Sequence, residues 1–307
     1  MTDIASVSLE EPLADLAQRL GASFEEFGFA IVRDHGISDD HIARAWEVTR
    51  KFFALPEEVK RAYHLQGKAG ARGYTPFGVE QAKDAHVRDL KEFWHVGRTL
   101  EPGDPLEAFM PPNVWPDEVA GFRQALEVLY ADFEASGARI LQAIAVYLGE
   151  DRDFFAPTVD KGNSVMRLLH YPPVPADAQG AIRAAAHEDI NTITLLLGAE
   201  ESGLELKTRS GEWLAIAPPE GAMVVNIGDM LQRLTNGHLR STTHRVVNPS
   251  GGAGQRPRYS MPFFLHFRPD YLIEPMAQFI DDAHPNPPAP ITAEDYLQER
   301  LREIKLA

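Results

Sequence analysis

Two side chains of the kind that bind metals lie two positions apart in the segment His187-Glu188-Asp189. In an extended segment, residues i and i+2 point to the same face, so His187 and Asp189 would present a nitrogen and a carboxylate to one point while Glu188 faces elsewhere. A third ligand would have to come from a distant strand, and His244 lies on a predicted one. Two histidines and one carboxylate leave three adjacent positions open on an octahedral ion. A non-haem Fe(II) centre needs these positions to hold a bidentate co-substrate and O2 together.

A second polar pair, Arg258 and Ser260, shares one face of a predicted strand. A guanidinium fork and a hydroxyl on the same face can bind one carboxylate. The opposite face of this strand is continuously apolar; its residues are Tyr259, Met261, Phe263, Leu265 and Phe267. We therefore expect the strand to form the wall of a polar pocket.

The N-terminal half of the chain is predicted to be mainly helical. Apolar residues at helical spacing predict helices over residues 9–27, 39–55 and 119–147, the last with a break near Ser136-Gly137. A short buried strand is predicted at 29–32 and another within 88–98.

The pattern changes after Asn163, where short apolar runs alternate with Gly, Pro and Asn turns. Many short strands with turns between them predict an antiparallel sandwich or barrel. The predicted strands are 165–171, 192–197, 204–207, 213–216, 223–227, 241–247 and 259–267. A last helix is predicted after Thr292, which forms a capping pair with Asp295.

The composition excludes several classes of protein. Of the 307 residues, 44% are hydrophobic, which is enough for a large buried core. The formal net charge of −15 repels phosphate backbones and anionic lipid, so we expect neither a nucleic-acid nor a membrane partner. Residues 1–8 lack the basic and apolar regions of a signal peptide, and we expect a cytoplasmic enzyme that acts on a small molecule. Because the chain has no Cys, any metal must bind His, Asp or Glu.

The order and spacing of these motifs resemble the isopenicillin N synthase-like branch of the Fe(II)/2-oxoglutarate-dependent dioxygenase superfamily. The resemblance covers nearly the whole chain. In the N-terminal half it rests on Gly28-Phe29, His35-Gly36-Ile37, Phe52-Phe53-Ala54-Leu55-Pro56, Arg72-Gly73-Tyr74 and Glu92-Phe93-Trp94. In the C-terminal half it rests on His187-Glu188-Asp189, Asn226-Ile227-Gly228-Asp229, the run from Leu234 to Ser241, His244-Arg245-Val246-Val247 and the run from Arg258 to Phe264.

The resemblance implies a fold, an activity and a set of site residues. The fold is mixed α/β with a mainly β core, a double-stranded β-helix (jelly roll) that has a helical N-terminal region and a C-terminal helix. The activity is oxidation of a small molecule with release of succinate and CO2, using Fe(II), 2-oxoglutarate and O2. The implied metal ligands are His187, Asp189 and His244, and the implied co-substrate ligands are Arg258, Ser260 and Tyr171. The family often has Asn two positions before this tyrosine, and here that position is Leu169, which removes one expected hydrogen bond.

The same resemblance divides the chain into an N-terminal region at 1–160, an oxygenase core at 161–275 and a C-terminal linker and helix at 276–307. Arg72, in a Gly-rich stretch that matches a substrate-binding region of the family, is a candidate substrate residue, together with Tyr74 and Phe264. Hydroxylation, desaturation and cyclisation all stay open as outcomes, and the sequence does not decide the oligomeric state.

Other functions fit the same residues. Isopenicillin N synthase oxidises its substrate without 2-oxoglutarate, and Arg258 with Ser260 would then hold another anion. Fragmentation of 2-oxoglutarate itself is a further variant. Two histidines and an aspartate also suit Zn(II), which would activate water for hydrolysis. A binding module with a decayed metal site is disfavoured, because all three ligand positions carry ligand residues.

Overall fold

The computed structural model describes residues 4–65, 71–79, 89–174, 182–197, 203–248, 256–282 and 284–303. The helices are α1 (Leu13–Phe27), α2 (Asp39–Phe53), α3 (Glu57–Arg61), α4 (Phe122–Tyr147), α5 (Ala156–Val159), α6 (Asp229–Leu234) and α7 (Ala293–Glu303). The first strands are β1 (Ser6–Ser8), β2 (Phe29–Arg33), β3 (Gly73–Thr75), β4 (Glu92–Gly97), β5 (Val165–Tyr171), β6 (Ala184–His187) and β7 (Ile193–Leu197). The remaining strands are β8 (Leu204–Lys207), β9 (Trp213–Ala215), β10 (Met223–Ile227), β11 (His244–Val246), β12 (Arg258–Leu265), β13 (Leu272–Ile273) and β14 (Ile291–Thr292).

A large sheet and a smaller one organise these strands. The large sheet has eight strands in the order β1-β2-β10-β7-β12-β5-β4-β3, and the smaller one has four in the order β6-β11-β8-β9. Within the large sheet only β1 and β2 pair in parallel. The predicted mixed α/β fold with a β-rich C-terminal half is confirmed.

One face of the large sheet is covered by helices. Met261, Phe263 and Leu265 of β12 are buried on this outer face, where Phe263 stacks on Phe133 of α4 with ring centroids 5.1 Å apart. The apolar alternation of β12 therefore faces the helical layer, as its period of two requires. The alternate residues, Arg258 and Ser260 among them, lie on the opposite, inner face.

The inner face of the large sheet meets the smaller sheet across a second apolar core. This core contains Phe29 and Val224 of the large sheet and Leu206 and Val246 of the smaller one. Strands β5 to β12 are thereby arranged around a common interior, and polar side chains that point inward are brought towards one another.

The predicted break in the long helix is wrong, because α4 (Phe122–Tyr147) is one uninterrupted helix. Gly137 lies where the helix passes β12, and a Cβ there would come within 2.4 Å of Leu265 Cδ1. The hydroxyl of Ser136 donates to the carbonyls of His35 and Asp132 at 2.7 and 3.0 Å. Neither residue ends the helix. Gly137 allows the helix to pack closely against Leu265, and Ser136 bonds the helix to the backbone at His35.

The last helix begins as predicted. The hydroxyl of Thr292 donates to the Asp295 carboxylate at 2.7 Å, and the Asp295 N–H donates back to that hydroxyl oxygen at 3.1 Å. The sequence spacing predicts that Leu297, Leu301 and Ile304 share one apolar face of this helix, and Ile304 lies outside the described residues. None of the helices in the described ranges is long and apolar enough to cross a membrane.

Candidate metal centre

The two histidines of the predicted triad face each other across a strand pair of the smaller sheet. His187 ends β6 and His244 begins β11, and the two are register partners with ring centroids 4.4 Å apart. Asp189 follows in the loop after β6, and its Oδ1 lies 3.7 Å from His187 Nε2 and 3.8 Å from His244 Nε2. One ligand atom from each of the three residues lies within 4.8 Å of the others.

The orientation of both imidazoles is set by a backbone carbonyl. His187 Nδ1 lies 2.8 Å from the Ala185 carbonyl, and His244 Nδ1 lies 3.0 Å from the Thr242 carbonyl. A carbonyl can only accept a hydrogen bond, so each Nδ1 carries the proton. The lone pair of each Nε2 then points towards Asp189, as a metal ligand requires.

Asp189 is held by two side chains of the large sheet. Its Oδ2 accepts from the hydroxyl of Thr194 on β7 at 2.6 Å and from the amide of Asn226 on β10 at 2.8 Å. Oδ1 is therefore the carboxylate oxygen that faces the two histidines. Asn226 therefore positions the carboxylate, a role that the sequence does not predict because it depends on a strand neighbour distant along the chain.

The protonation states of the triad suit a metal. Burial, then the nearby His244, lower the pKa of His187 to about 4, although one edge of the ring still meets solvent, with 38% of the side chain exposed. Burial opposes the charged form of Asp189, but the two histidines and the hydrogen bonds from Asn226 and Thr194 outweigh it and lower the pKa of this carboxyl. At neutral pH the site therefore offers a neutral imidazole beside a carboxylate, and this donor set fits Fe(II).

The predicted carboxylate clamp lies at the start of β12. Arg258 is 3% exposed, and its Nη1 donates to the hydroxyl of Ser260 at 3.3 Å. Tyr171 is the register partner of Arg258 on β5, and the guanidinium lies 4.9 Å from the centre of its ring. Leu169 pairs with Ser260 and packs with Phe93 and Tyr171, so an apolar wall stands where the family often has an amide.

Two of the three candidate substrate residues lie on the inner face of the large sheet, and the third lies on the outer face. Phe264 is on the inner face of β12, and the guanidinium of Arg72 also reaches the inner face, at the end of β4. Tyr74 lies on the outer face, where its hydroxyl donates to Glu92 and its ring packs against Phe52. We therefore leave Tyr74 out of the proposed site.

Sequence reasoning missed an aromatic and basic group on the inner face. Arg167 of β5 lies over the rings of Phe93 and Phe264, 4.3 and 5.2 Å from their centres, and its Nε donates to His95 at 2.6 Å. Strand alternation places Arg167 and Leu169 on the same face as Tyr171, and this spacing could have predicted from the sequence that Arg167 lies on the inner face.

Other polar residues have structural partners. His170 contacts Glu92 at 2.6 Å and stacks on Tyr259, away from the inner face. Arg245 forms an ion pair with Glu205, because strand alternation points it away from the neighbouring His244.

Two family models match the chain. Residues 1–118 match the model of the N-terminal region of the non-haem dioxygenases in morphine synthesis, and residues 162–267 match that of the 2OG-Fe(II) oxygenase superfamily.

Curated relatives and solved structures extend the similarity to almost the whole chain. A 2-oxoglutarate-Fe(II) type oxidoreductase of Aspergillus fumigatus is 32% identical over 94% of this chain and 87% of its own length. A 2OG-Fe(II) oxygenase family protein of Caulobacter crescentus is 52% identical, with a TM-score of 0.91 over 99% of this chain and 100% of its own. A full-length Neurospora crassa protein, solved in complex with alpha-KG (2-oxoglutarate) and thymine, is 30% identical, with a TM-score of 0.86 over 97% of this chain and 96% of its own.

Proposed function

Because the chain belongs to the 2OG-Fe(II) oxygenase superfamily, we propose that His187, Asp189 and His244 hold its Fe(II) and that Arg258, Ser260 and Tyr171 bind 2-oxoglutarate. The protein is a non-haem Fe(II)- and 2-oxoglutarate-dependent dioxygenase, and its cofactors are Fe(II), 2-oxoglutarate and O2. The observation that carries the assignment of residues is the convergence of two imidazole nitrogens on one carboxylate oxygen, all three oriented by hydrogen bonds on their far sides.

When bound, Fe(II) with 2-oxoglutarate and O2 supplies the oxidative decarboxylation that yields succinate and CO2 and the oxidising power to attack a C–H bond. The residues of this chain orient the reactants. Three protein ligands leave three positions of an octahedral ion open. The buried guanidinium of Arg258 and the hydroxyl of Ser260 offer a charge-assisted clamp to the far carboxylate of the co-substrate.

We further propose that β5 to β12 form a double-stranded β-helix. Along the chain β5, β7, β10 and β12 join the large sheet, while β6, β8, β9 and β11 join the smaller one, so the chain passes repeatedly between two facing layers. This arrangement supports the core boundaries of 161–275; those boundaries, the flanking regions and the cytoplasmic location stay predictions.

The substrate is proposed to be a small molecule that enters between the inner faces of the two sheets. Phe264 and Arg72 are the candidate contacts of this chain, and both lie on the inner face of the large sheet. Thymine, which is bound in the solved Neurospora crassa complex, is an example of the size of molecule that a related site accepts.

Anaerobic titration with Fe(II) and then 2-oxoglutarate tests the assignment of residues. We expect a visible charge-transfer band when the keto acid chelates the metal. Arg258→Ala should weaken 2-oxoglutarate binding by about tenfold to 100-fold, because one charge-assisted interaction with the carboxylate is lost. Arg245→Ala is the matched control, since Arg245 pairs with Glu205 on the neighbouring strand. His244→Ala should lose the metal itself.

Equal 2-oxoglutarate affinity in wild type and Arg258→Ala would contradict the proposed clamp. A wild-type protein that binds Fe(II) but gives no band with 2-oxoglutarate would instead indicate an oxidase of the isopenicillin N synthase kind.

A further inference from the structure

Arg72 is a buried cation with an unused hydrogen-bonding edge. It is 2% exposed, and its Nη1 donates to the Ala71 carbonyl at 2.7 Å, whereas its Nε and Nη2 have no hydrogen-bond partner in the part of the chain that the structure describes. Among the described residues, no carboxylate forms an ion pair with it. Burial lowers the pKa of Arg72 to about 10, so the group still carries its charge at neutral pH.

The guanidinium lies on the inner face of β4. A Cβ built on Gly97 would lie 1.9 Å from Arg72 Cζ, so the guanidinium occupies the space that a side chain at position 97 would fill. Residues 93, 95 and 97 alternate onto the same face, and Phe93 lies beneath the guanidinium of Arg167. The guanidinium of Arg72 therefore lies on the same side of the large sheet as Phe93, Arg167 and Phe264.

A continuous row of register partners connects Arg72 to the metal centre. Gly97 pairs with Val165, Val165 with Phe264, and Phe264 with Thr194, whose hydroxyl bonds the carboxylate of Asp189. Three strand spacings separate the ends of this row, about 14 Å along a curved sheet. A small molecule above Phe264 would lie between Arg72 and the metal ligands.

This position is distinct from the co-substrate clamp. Arg258 begins β12, and at about 3.3 Å per residue it lies about 20 Å along the strand from Phe264. A 2-oxoglutarate molecule held by Arg258 and the metal would therefore leave Arg72 unoccupied.

The chemistry of the unused edge identifies its ligand. Nε and Nη2 form one side of the planar guanidinium and present two parallel N–H groups, which match the two oxygens of a carboxylate. An unpaired buried charge is costly to the folded protein, and a bound carboxylate would both satisfy and neutralise it.

We propose that Arg72 binds a carboxylate of the prime substrate and that this dioxygenase therefore oxidises a small carboxylic acid over Phe264. The inference rests on the proposed function, because it takes the metal centre and the Arg258 clamp as described. Arg72 is a binding residue that sets substrate specificity.

Carboxylic acids and their amides test this proposal, because each pair has nearly the same shape and differs in charge. The anaerobic protein, loaded with Fe(II) and saturating 2-oxoglutarate, is titrated with phenylacetate and phenylacetamide and with hexanoate and hexanamide while thermal stability is recorded. We expect the acids to raise the melting temperature more than the amides. In Arg72→Gln the affinity for the acids should fall by about tenfold or more and the preference should vanish.

Three further variants separate recognition from folding. Arg72→Met removes the unpaired charge and should leave the melting temperature of the unliganded protein unchanged or higher, as should Arg123→Met, which changes an arginine on the exposed surface of α4. Gly97→Ala should push the guanidinium aside and reduce the preference for acids.

No preference for acids in the wild type, or a preference that survives in Arg72→Gln, would overturn the proposal. So would a loss of several degrees in Arg72→Met alone, because it would make Arg72 a structural residue. The charge-transfer band with 2-oxoglutarate is recorded in every variant, so failure of the proposed function is seen separately, as absence of the band in the wild type.

Discussion

At the scale of single residues, each metal ligand depends on the group behind it. A neutral imidazole that binds a metal through Nε2 carries its proton on Nδ1, and a hydrogen bond from that proton fixes the tautomer and the direction of the ring. The backbone carbonyls of Ala185 and Thr242 accept this bond from His187 and His244. Asp189 instead depends on two side chains, Thr194 and Asn226, which mutation can remove one at a time. Mutation of Thr194 or Asn226 can therefore test how far these hydrogen bonds orient the metal ligand Asp189.

We expect Thr194→Val to lower the affinity for Fe(II) by about tenfold to 100-fold, because the isosteric side chain no longer donates to Asp189 Oδ2. Anaerobic metal titration measures the effect. Thr194→Ser should restore most of the affinity, and Thr208→Val, in an exposed turn, should have no effect. Equal affinities in the Val and Ser variants would show that the hydroxyl does not position Asp189.

At the scale of elements, a buried charge network attaches the N-terminal helices to the sheet. Glu92 of β4 accepts from Lys60 in α3 at 2.8 Å and contacts His170 of β5 at 2.6 Å, and the Tyr74 hydroxyl of β3 also donates to it. Burial opposes the charge on Glu92, but hydrogen bonds from His170, Lys60 and Tyr74 outweigh it and lower its pKa. The network forms the outer side of the strands that carry Phe93 and Tyr171 on the inner side.

We expect Glu92→Gln to destabilise the protein by about 3 kcal/mol at pH 7, because Lys60 is left buried without its partner. The folded pKa of Glu92 lies below its unfolded value, so its contribution is present above about pH 4.5 and is lost as pH falls through the folded pKa. Denaturant unfolding across this pH range should show the wild type approaching the variant at low pH.

Glu47→Gln is the control, since Glu47 forms an exposed ion pair with Lys51. This substitution should change the free energy of unfolding little, both at pH 7 and at low pH. A difference between wild type and Glu92→Gln that stays constant down to about pH 3 would contradict the assigned role of the Glu92 carboxylate.

At the scale of the whole molecule, the metal centre joins the two sheets. His187 and His244 belong to the smaller sheet, while Asp189 is bonded to β7 and β10 of the large one. The backbone reinforces this junction, because the Asp229 N–H at the start of α6 donates to the Asp189 carbonyl at 2.7 Å. A ligand that binds here binds only the folded arrangement of both sheets.

Metal and co-substrate should therefore stabilise the protein globally. At a free concentration of about 100 times the dissociation constant, each adds about 2.7 kcal/mol to the free energy of unfolding. Mn(II) with 2-oxoglutarate, which avoids oxidation, should raise the melting temperature by a few degrees, and chelation should reverse the rise. An equal rise in His244→Ala would mean that the metal binds elsewhere.

Local spacing along the chain determined much of this protein. Alternation along strands placed Arg258 with Ser260 and separated them from Phe263, and the interval between His187 and Asp189 predicted a shared metal site. Helical periodicity gave α1, α2 and α4 within a few residues, and Thr292 with Asp295 marked the start of α7. These features depend on backbone geometry over a few residues, which residue types encode directly.

Only the tertiary structure decided which distant residues meet. Asn226 reaches Asp189 because β10 and β7 are neighbours, and Arg72 lies over Gly97 because β4 has no side chain at that position. Arg72 and Tyr74 are two positions apart, and in a regular strand they would point to the same side. Gly73 between them has φ at +71°, so the chain turns and the two side chains reach opposite faces of the sheet. Strand order and close backbone approach arise from packing of the whole chain, and no local pattern records them.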